Sequence, residues 1–347
     1  MIEAFAEQIR EASARGGALR LRGGGSKDFY GNAPRGEILD TRSHSGIVTY
    51  EPTELVVTAR CGTLLSDLEK ILEANGQCLP FEPPHFGPDA TVGGCVAAGL
   101  SGPRRAAAGA LRDFVLGLKL VDGRGQALSF GGQVMKNVAG YDVSRLIAGS
   151  LGTLGLIAEV SLKLAPRPAA QTTLRLEMPH DRALEAMNRW AGQPLPISAT
   201  AWCDDELTVR LSGSAAGVRA AAAKIGGEGL EEEFWLALRE QSAPFFAGDE
   251  PLWRMAIPST SPPLGLGGRQ LIEWSGALRW LKSAENPKTI REAARRLGGH
   301  ATLFRAADKA AGCFSPLDPV LLRVHRKLKA AFDPAGIFNP GRMYPEV

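Results

Sequence analysis

The 347-residue sequence predicts an α+β protein in two parts. Counting along the chain, 25 of the 41 glycines precede Arg167, whereas all six tryptophans follow it. The run Leu164-Ala-Pro-Arg-Pro-Ala-Ala170 punctuates a strand-rich block where that composition changes. Before it, short strands and helices alternate. After it, helices are interleaved with strands that read as an antiparallel layer covered by helices on one face. These observations place one domain at residues 1–168, a second at about 169–316 and a tail at 317–347.

The elements follow in order. Glu3, Glu7 and Glu11 recur at helical spacing, so the opening segment does not read as a signal peptide. Ala18–Arg22 is a short strand running into Gly23-Gly24-Gly25. Ile47–Tyr50 and Leu55–Arg60 are strands split by Pro52. Leu64–Asn75 is an amphipathic helix with Leu64, Leu65, Leu68, Ile71 and Leu72 on one face, Thr63 at its start and Gly76 at its end. Phe114–Asp122 is a strand ending in the turn Asp122-Gly-Arg-Gly125, and Leu156–Leu164 alternates apolar and polar as a half-buried strand does. The second part holds helices at Arg182–Ala191, Ala215–Ile225, Ala284–Leu297 and Pro319–Phe332, with strands at Thr172–Glu177, Leu207–Leu211 and Gln270–Trp274. The basic run Leu322–Lys329 reads as a solvated helix face, and Glu231–Glu233 as an exposed helix start.

Composition excludes several functions. A net charge of +3, evenly spread, argues against a nucleic-acid partner. Nothing approaches the roughly eighteen unbroken apolar residues of a membrane helix, so the cytosol is the expected location. Cys61, Cys78, Cys95, Cys203 and Cys313 are scattered, odd in number and without a Cys-x-x-Cys pair. They read as small buried residues, with no disulfide framework, metal site or iron–sulfur cluster held by this chain alone.

Three glycine blocks carry the functional signal. In Arg22-Gly-Gly-Gly-Ser-Lys27, consecutive glycines after a strand let backbone N–H groups converge on an anion such as a pyrophosphate, with Ser26 and Lys27 adding a donor and a charge. The block is neither a Rossmann fingerprint nor a P-loop. Thr91-Val-Gly-Gly-Cys-Val-Ala-Ala-Gly-Leu-Ser-Gly102 follows the rigid, extended Pro80-Phe-Glu-Pro-Pro84. Thr91 caps a short helix there, whose small side chains admit a flat ring or a second backbone. Gly149-Ser-Leu-Gly-Thr-Leu-Gly155 is the third block. Each alone is compatible with a tight turn; three between Gly23 and Gly155 point to a ligand.

These blocks, in this order and with Arg112-Asp-Phe-Val-Leu-Gly117 and Leu156-Ile-Ala-Glu-Val160, resemble the FAD-binding domain of the vanillyl-alcohol-oxidase/PCMH superfamily. Phe332-Asp-Pro-Ala-Gly-Ile-Phe-Asn-Pro-Gly-Arg342 resembles the C-terminal segment that returns to that domain in FAD-linked oxidases. The runs Phe130–Asp142 and Gly99–Arg104 are similar to the branch holding the smaller flavin subunits of bacterial glycolate oxidases. The resemblance is dense over 18–168, clear over 331–345 and thin between. It implies a PCMH-type FAD-binding domain of two small α/β subdomains with an α+β cap.

It further implies that Gly23, Gly24, Gly25, Ser26 and Lys27 wrap the FAD pyrophosphate. Thr91, Gly93, Gly94 and the turn of Gly99, Ser101 and Gly102 would line the flavin and ribityl side, and Gly152 and Ile157 would meet the adenine half. Relatives that attach the flavin covalently use a histidine where this chain has Ser26, so non-covalent FAD is expected. The catalytic relatives carry a His-x-Gly-Asp-Gly-Asn-x-His type motif that is absent here. His44, His85, His180, His300 and His325 stand apart in sequence, and His85 is the one expected near the flavin. The resemblance therefore implies that a catalytic FAD subunit and an iron–sulfur subunit complete a glycolate-oxidising complex, through which any membrane association would arise. A self-sufficient FAD-dependent alcohol or 2-hydroxyacid dehydrogenase and a flavin-free scaffold are the alternatives.

Overall fold

The computed structural model describes residues 1–132 and 141–347; residues 133–140, inside the Phe130–Asp142 run, lie outside them. The chain divides into two compact units. Met1–Leu100, Ala110–Arg167 and Pro316–Val347 form the first, and Ser101–Gly109 with Pro168–Ser315 the second. Ser101–Gly109 thus folds with the second unit although it lies within the span 1–168. The reason is Trp274, whose indole Nε1 donates to Gly102 O at 3.0 Å while Arg105 stacks 4.4 Å over its ring.

In the first unit, helix α1 (Ile2–Arg15) buries Phe5, Ile9 and Ala12 against strands β1 (Leu19–Arg22) and β2 (Glu37–Asp40), which pair in parallel. The tail joins this layer: Phe338 bridges Leu19 in parallel, and both belong to the same core. Next come β3 (Ile47–Glu51), β4 (Val56–Arg60), helices α2 (Leu65–Ala74) and α3 (Val92–Ala98), β5 (Val115–Val121), β6 (Ala127–Gly131) and β7 (Leu156–Lys163). Their strands form an antiparallel sheet in the order β3-β4-β7-β5-β6.

Three local expectations are corrected. Thr63 does not cap α2: its hydroxyl exchanges hydrogen bonds with Gly46 N at 2.9 Å and Gly46 O at 3.1 Å, tying the helix entry to the end of the preceding loop. Strand β7 is not half-buried, because it is the middle strand of five and is covered on both faces; even Ser161 is buried, bonded to Thr58 at 2.8 Å. The lead-in Pro80–Pro84 is not extended throughout, since Glu82 adopts φ 45°.

The second unit is an eight-stranded antiparallel sheet. Its strands are β8 (Ala170–Glu177), β9 (Ile197–Cys203), β10 (Glu206–Gly213), β11 (Glu228–Leu230), β12 (Leu252–Ala256), β13 (Arg269–Glu273), β14 (Leu278–Lys282) and β15 (His300–Arg305), ordered β11-β8-β10-β9-β13-β14-β12-β15. Helices α4 (His180–Ala191) and α5 (Ala215–Ile225) pack Leu184, Met187 and Val218 on Leu174, Leu207 and Val209. Helix α6 (Pro287–Arg296) packs Ile290 and Ala294 on Trp253 and Met255. It starts later than Ala284 because Pro287 disfavours helical backbone in the residue before it, and Asn286 caps the new start by accepting from Lys288 N at 2.9 Å.

Helix α7 (Pro319–Phe332) returns to the first unit. Arg323, Arg326 and Lys327 are solvated, but Lys329 is buried, which corrects the reading of the whole basic run as an exposed face. The five cysteines are free; Cys61, Cys95 and Cys313 are buried, while Cys78 and Cys203 are half-buried. Among the described residues no helix is long and apolar enough to cross a membrane.

His44, His180, His300 and His325 all have ring pKa values held below the ordinary 6.5, with burial the largest cause in each. The sign follows from linkage. The unfolded chain takes up these protons near 6.5 and the fold resists them, so stability is full above that pH and is lost as pH falls through the lowered values. Thermal unfolding between pH 8 and 5 should show Tm falling below about pH 6.5. A flat Tm over that interval contradicts the burial of these rings.

Candidate functional site

Strand β1 ends at Arg22, and the chain turns through Gly23–Ser26 against Asp89–Thr91. The approach is closest at Gly24, where an added Cβ would overlap the Asp89 carbonyl oxygen and stand 2.5 Å from its carbon. Glycine is required there because the wall is backbone and cannot rotate away. Thr91 supports the arrangement from the other side, its hydroxyl accepting from Gly94 N at 3.2 Å and so capping α3 as expected.

The third block docks on the C-terminal end of α3. Gly149 N donates to Val96 O and Leu151 N to Ala97 O, each at 2.9 Å. Gly99 meets Gly149 so closely that a Cβ on Gly99 would stand 2.7 Å from Gly149 Cα. All three blocks, whose outermost glycines Gly23 and Gly155 lie 132 positions apart, thereby contribute to one groove in the first unit.

That groove has two adjoining compartments. The first is lined by Gly23, Gly24, Gly25, Ser26 and Lys27 together with Thr91 and Gly94. The second shares Gly23 and Gly94 and adds Gly93, Gly152 and Ile157, with Cys61, Leu151 and Leu156 as apolar walls. Burial pushes the Cys61 thiol up to about 12, so it lines the groove as a neutral group rather than a nucleophile. Gly99 sits behind this lining, packed on Gly149, and Ser101 and Gly102 belong to the second unit.

His85, expected near the flavin, lines neither compartment. Its ring faces the Glu69 carboxylate 3.0 Å away, while its backbone oxygen accepts from Lys27 Nζ at 3.1 Å. In this site it acts through its main chain, holding the lysine.

Several lining residues carried no assignment from the sequence. Arg20, Arg22 and Arg342 join Lys27 as four cationic side chains on the first compartment, opposed by Asp28 alone among the described carboxylates lining it. Asn339 lines both compartments and ties them together. It accepts from Leu21 N at 3.0 Å, donates to Leu151 O at 2.7 Å, and its own amide donates to Leu19 O at 2.9 Å. One amide side chain therefore links β1, the third glycine block and the tail. The tail is held in turn by Lys329, whose ammonium donates to Thr153 O, Phe338 O and Asp333 at 2.7–2.8 Å.

The groove thus offers clustered backbone, excess positive charge in the first compartment and mostly apolar side chains in the second. That donor set fits a dinucleotide with a diphosphate at its centre and an aromatic ring at its end. Among the described residues, no three His, Cys, Asp or Glu side chains gather into a metal-binding group.

Comparison with known proteins agrees with this chemistry. Residues 2–131 match the FAD binding domain family, and residues 308–343 match the C-terminal domain of FAD linked oxidases. Glycolate oxidase subunit GlcE of Escherichia coli (strain K12) is 50% identical over 345 residues, covering 99% of this chain and 98% of that protein. Glycolate oxidase subunit GlcD of Bacillus subtilis (strain 168) is 34% identical over 155 residues, 44% of this chain and 33% of that one. An alkyldihydroxyacetonephosphate synthase structure shares the fold with a TM-score of 0.67, at 15% identity, over 96% of this chain and 73% of its own.

Proposed function

The chain belongs to the FAD-linked oxidase family that includes glycolate oxidase subunit GlcE, and from that premise we propose that it is the FAD-holding electron carrier of a glycolate-oxidising complex. The observation that carries this reading is the single groove on which three glycine blocks and the tail converge. FAD, when bound, supplies the two-electron acceptor and returns electrons singly or in pairs. The chain's own residues supply the rest. The backbone from Gly23 to Lys27, with Arg20, Arg22 and Arg342, would hold the diphosphate, and Gly152, Leu156 and Ile157 would pack against the adenine half while keeping water out. Thr91, Gly93 and Gly94 would face the ribityl and flavin side. Ser26 stands where a covalent histidine link would be, so the flavin is held without a bond.

Substrate oxidation is assigned to a partner flavin subunit, with an iron–sulfur subunit taking the electrons onward and any membrane contact made through that assembly. The second unit's histidines support this division. His180 stacks on Trp202 with ring centroids 4.4 Å apart, His300 stands at the exposed start of β15, and among the described residues neither gathers with other His, Cys, Asp or Glu side chains into a metal-binding group.

The test begins with the chain purified alone. It should be yellow and release FAD into the supernatant on acid precipitation. Dye-linked oxidation of glycolate should appear only after co-expression with the partner subunits. Colourless protein that takes up no added FAD removes the cofactor assignment, and glycolate turnover by the isolated chain removes the partner assignment.

A further inference from the structure

Arg20 and Arg22 stand two residues apart on β1, so the strand pleat sends both side chains to one face. Both guanidinium groups end on the same oxygen. Arg20 Nη2 donates to Asp28 Oδ2 at 2.5 Å, and Arg22 Nε donates to that atom at 2.9 Å. Arg342 arrives from the tail, and its Nη2 donates to the Asp28 main-chain oxygen at 2.8 Å. Its Nη1 donates to Asn32 O, which fixes the orientation of the fork. Three guanidinium groups therefore converge on one residue, and all four side chains line the compartment that holds Gly23–Lys27. Arg22 also passes beneath the loop, with its guanidinium carbon 2.6 Å from where a Cβ on Gly25 would stand.

The fold gives little reason for this carboxylate. An ion pair with 22–36% of its side chains exposed contributes little to stability. Beside a groove that takes an anion, a carboxylate is also repulsive unless it does something else. What it does is hold two long, rotamer-rich side chains in one place. A guanidinium is a rigid planar fork, so once fixed it presents its remaining N–H groups in a defined direction. Ordering both arginines before the ligand arrives removes a cost that binding would otherwise carry.

We propose that Asp28 is a positioning residue that sets flavin selectivity: by holding Arg20 and Arg22 it fits the groove to a diphosphate-linked flavin dinucleotide over a flavin bearing one phosphate or none. The proposal rests on this groove being the FAD site. A single phosphate can be met by the glycine-block backbone, which leaves the ordered arginines idle. A diphosphate engages both. Asp28 acts through the arginines and touches no reacting atom.

The experiment uses the full chain stripped of flavin, and titrates FAD, FMN and riboflavin into wild type and Asp28→Asn. Flavin fluorescence gives the affinities, and thermal unfolding checks the fold of each variant. Asp28→Asn keeps the shape of the side chain and removes its charge. FAD should bind roughly tenfold more weakly and riboflavin unchanged, so that the FAD-to-FMN ratio collapses. Arg20→Lys, which keeps the charge but loses the fork, should lower the same ratio. An unchanged ratio in Asp28→Asn, with wild type binding FAD, overturns this inference and leaves the cofactor assignment standing. Tighter FAD binding in Asp28→Asn shows simple repulsion and overturns it too. Parallel loss of all three flavins with a lowered Tm shows a structural role and does the same. Failure of wild type to bind FAD removes the cofactor assignment itself, and the inference with it.

Discussion

Gly24→Ala is expected to leave the purified chain without bound FAD. Its Cβ would overlap the Asp89 carbonyl oxygen, and Asp89 C and Cβ would lie 2.5 and 2.8 Å away. Flexible side chains can rotate out of such contacts, but here the first obstacle is main chain. The turn from Gly23 to Ser26 must therefore move away from Asp89, and its groups leave the positions they hold around the groove. An affinity loss of roughly hundredfold, about 2.7 kcal/mol, is the expected size. Gly229→Ala is the control. That glycine has no atom within 4 Å of an added Cβ, and the variant should bind FAD as wild type does. Equal FAD affinity in Gly24→Ala and wild type would mean that the groove is not the cofactor site.

The second large effect lies away from the groove. Lys329→Met should destabilise the first unit by about 3 kcal/mol. The ammonium is 10% exposed and satisfies three acceptors at once: the Asp333 carboxylate, Thr153 O and Phe338 O. Burial lowers its pKa while Asp333 pulls the other way, so it is a buried charge kept by its partner. Methionine has similar length but no donor, and it would leave a fully buried carboxylate whose remaining support is the amides of Ile337 and Phe338. The tail would loosen at Phe338, and with it Asn339, so weaker FAD binding should accompany the lower Tm. Lys327→Met, on the exposed side of the same helix, should change Tm little. Equal Tm values for Lys329→Met and wild type would show that the pair does not hold the tail.

Local patterning made most of the elements legible. Ala215–Ile225 and Pro319–Phe332 are helices with the boundaries their periodicity implies, because a capping residue and an apolar face act over one or two turns. Strands at Thr172–Glu177 and Leu207–Leu211 are parts of Ala170–Glu177 and Glu206–Gly213, which pair with each other. Alternation implies a half-buried β7 because it describes the strand and not its neighbours. Being the middle of five is a property of the sheet. Thr63 failed as a cap for the same kind of reason, since Gly46, seventeen residues earlier, competes for its hydroxyl.

The glycine blocks were visible in the sequence because close backbone approach and tight turns leave a compositional mark wherever they occur. The sequence by itself therefore pointed to a ligand at three glycine-rich segments, and those segments line one groove in the structure. Only the tertiary structure decided which side chains complete it. Leu21 and Asn339 are 318 residues apart, and Asp28 and Arg342 are 314 apart. No periodicity or local propensity reports such pairs. They form because the tail packs Phe338 into the core beside Leu19, after which hydrogen bonds over 3 Å or less become available to groups that local chemistry never brings together.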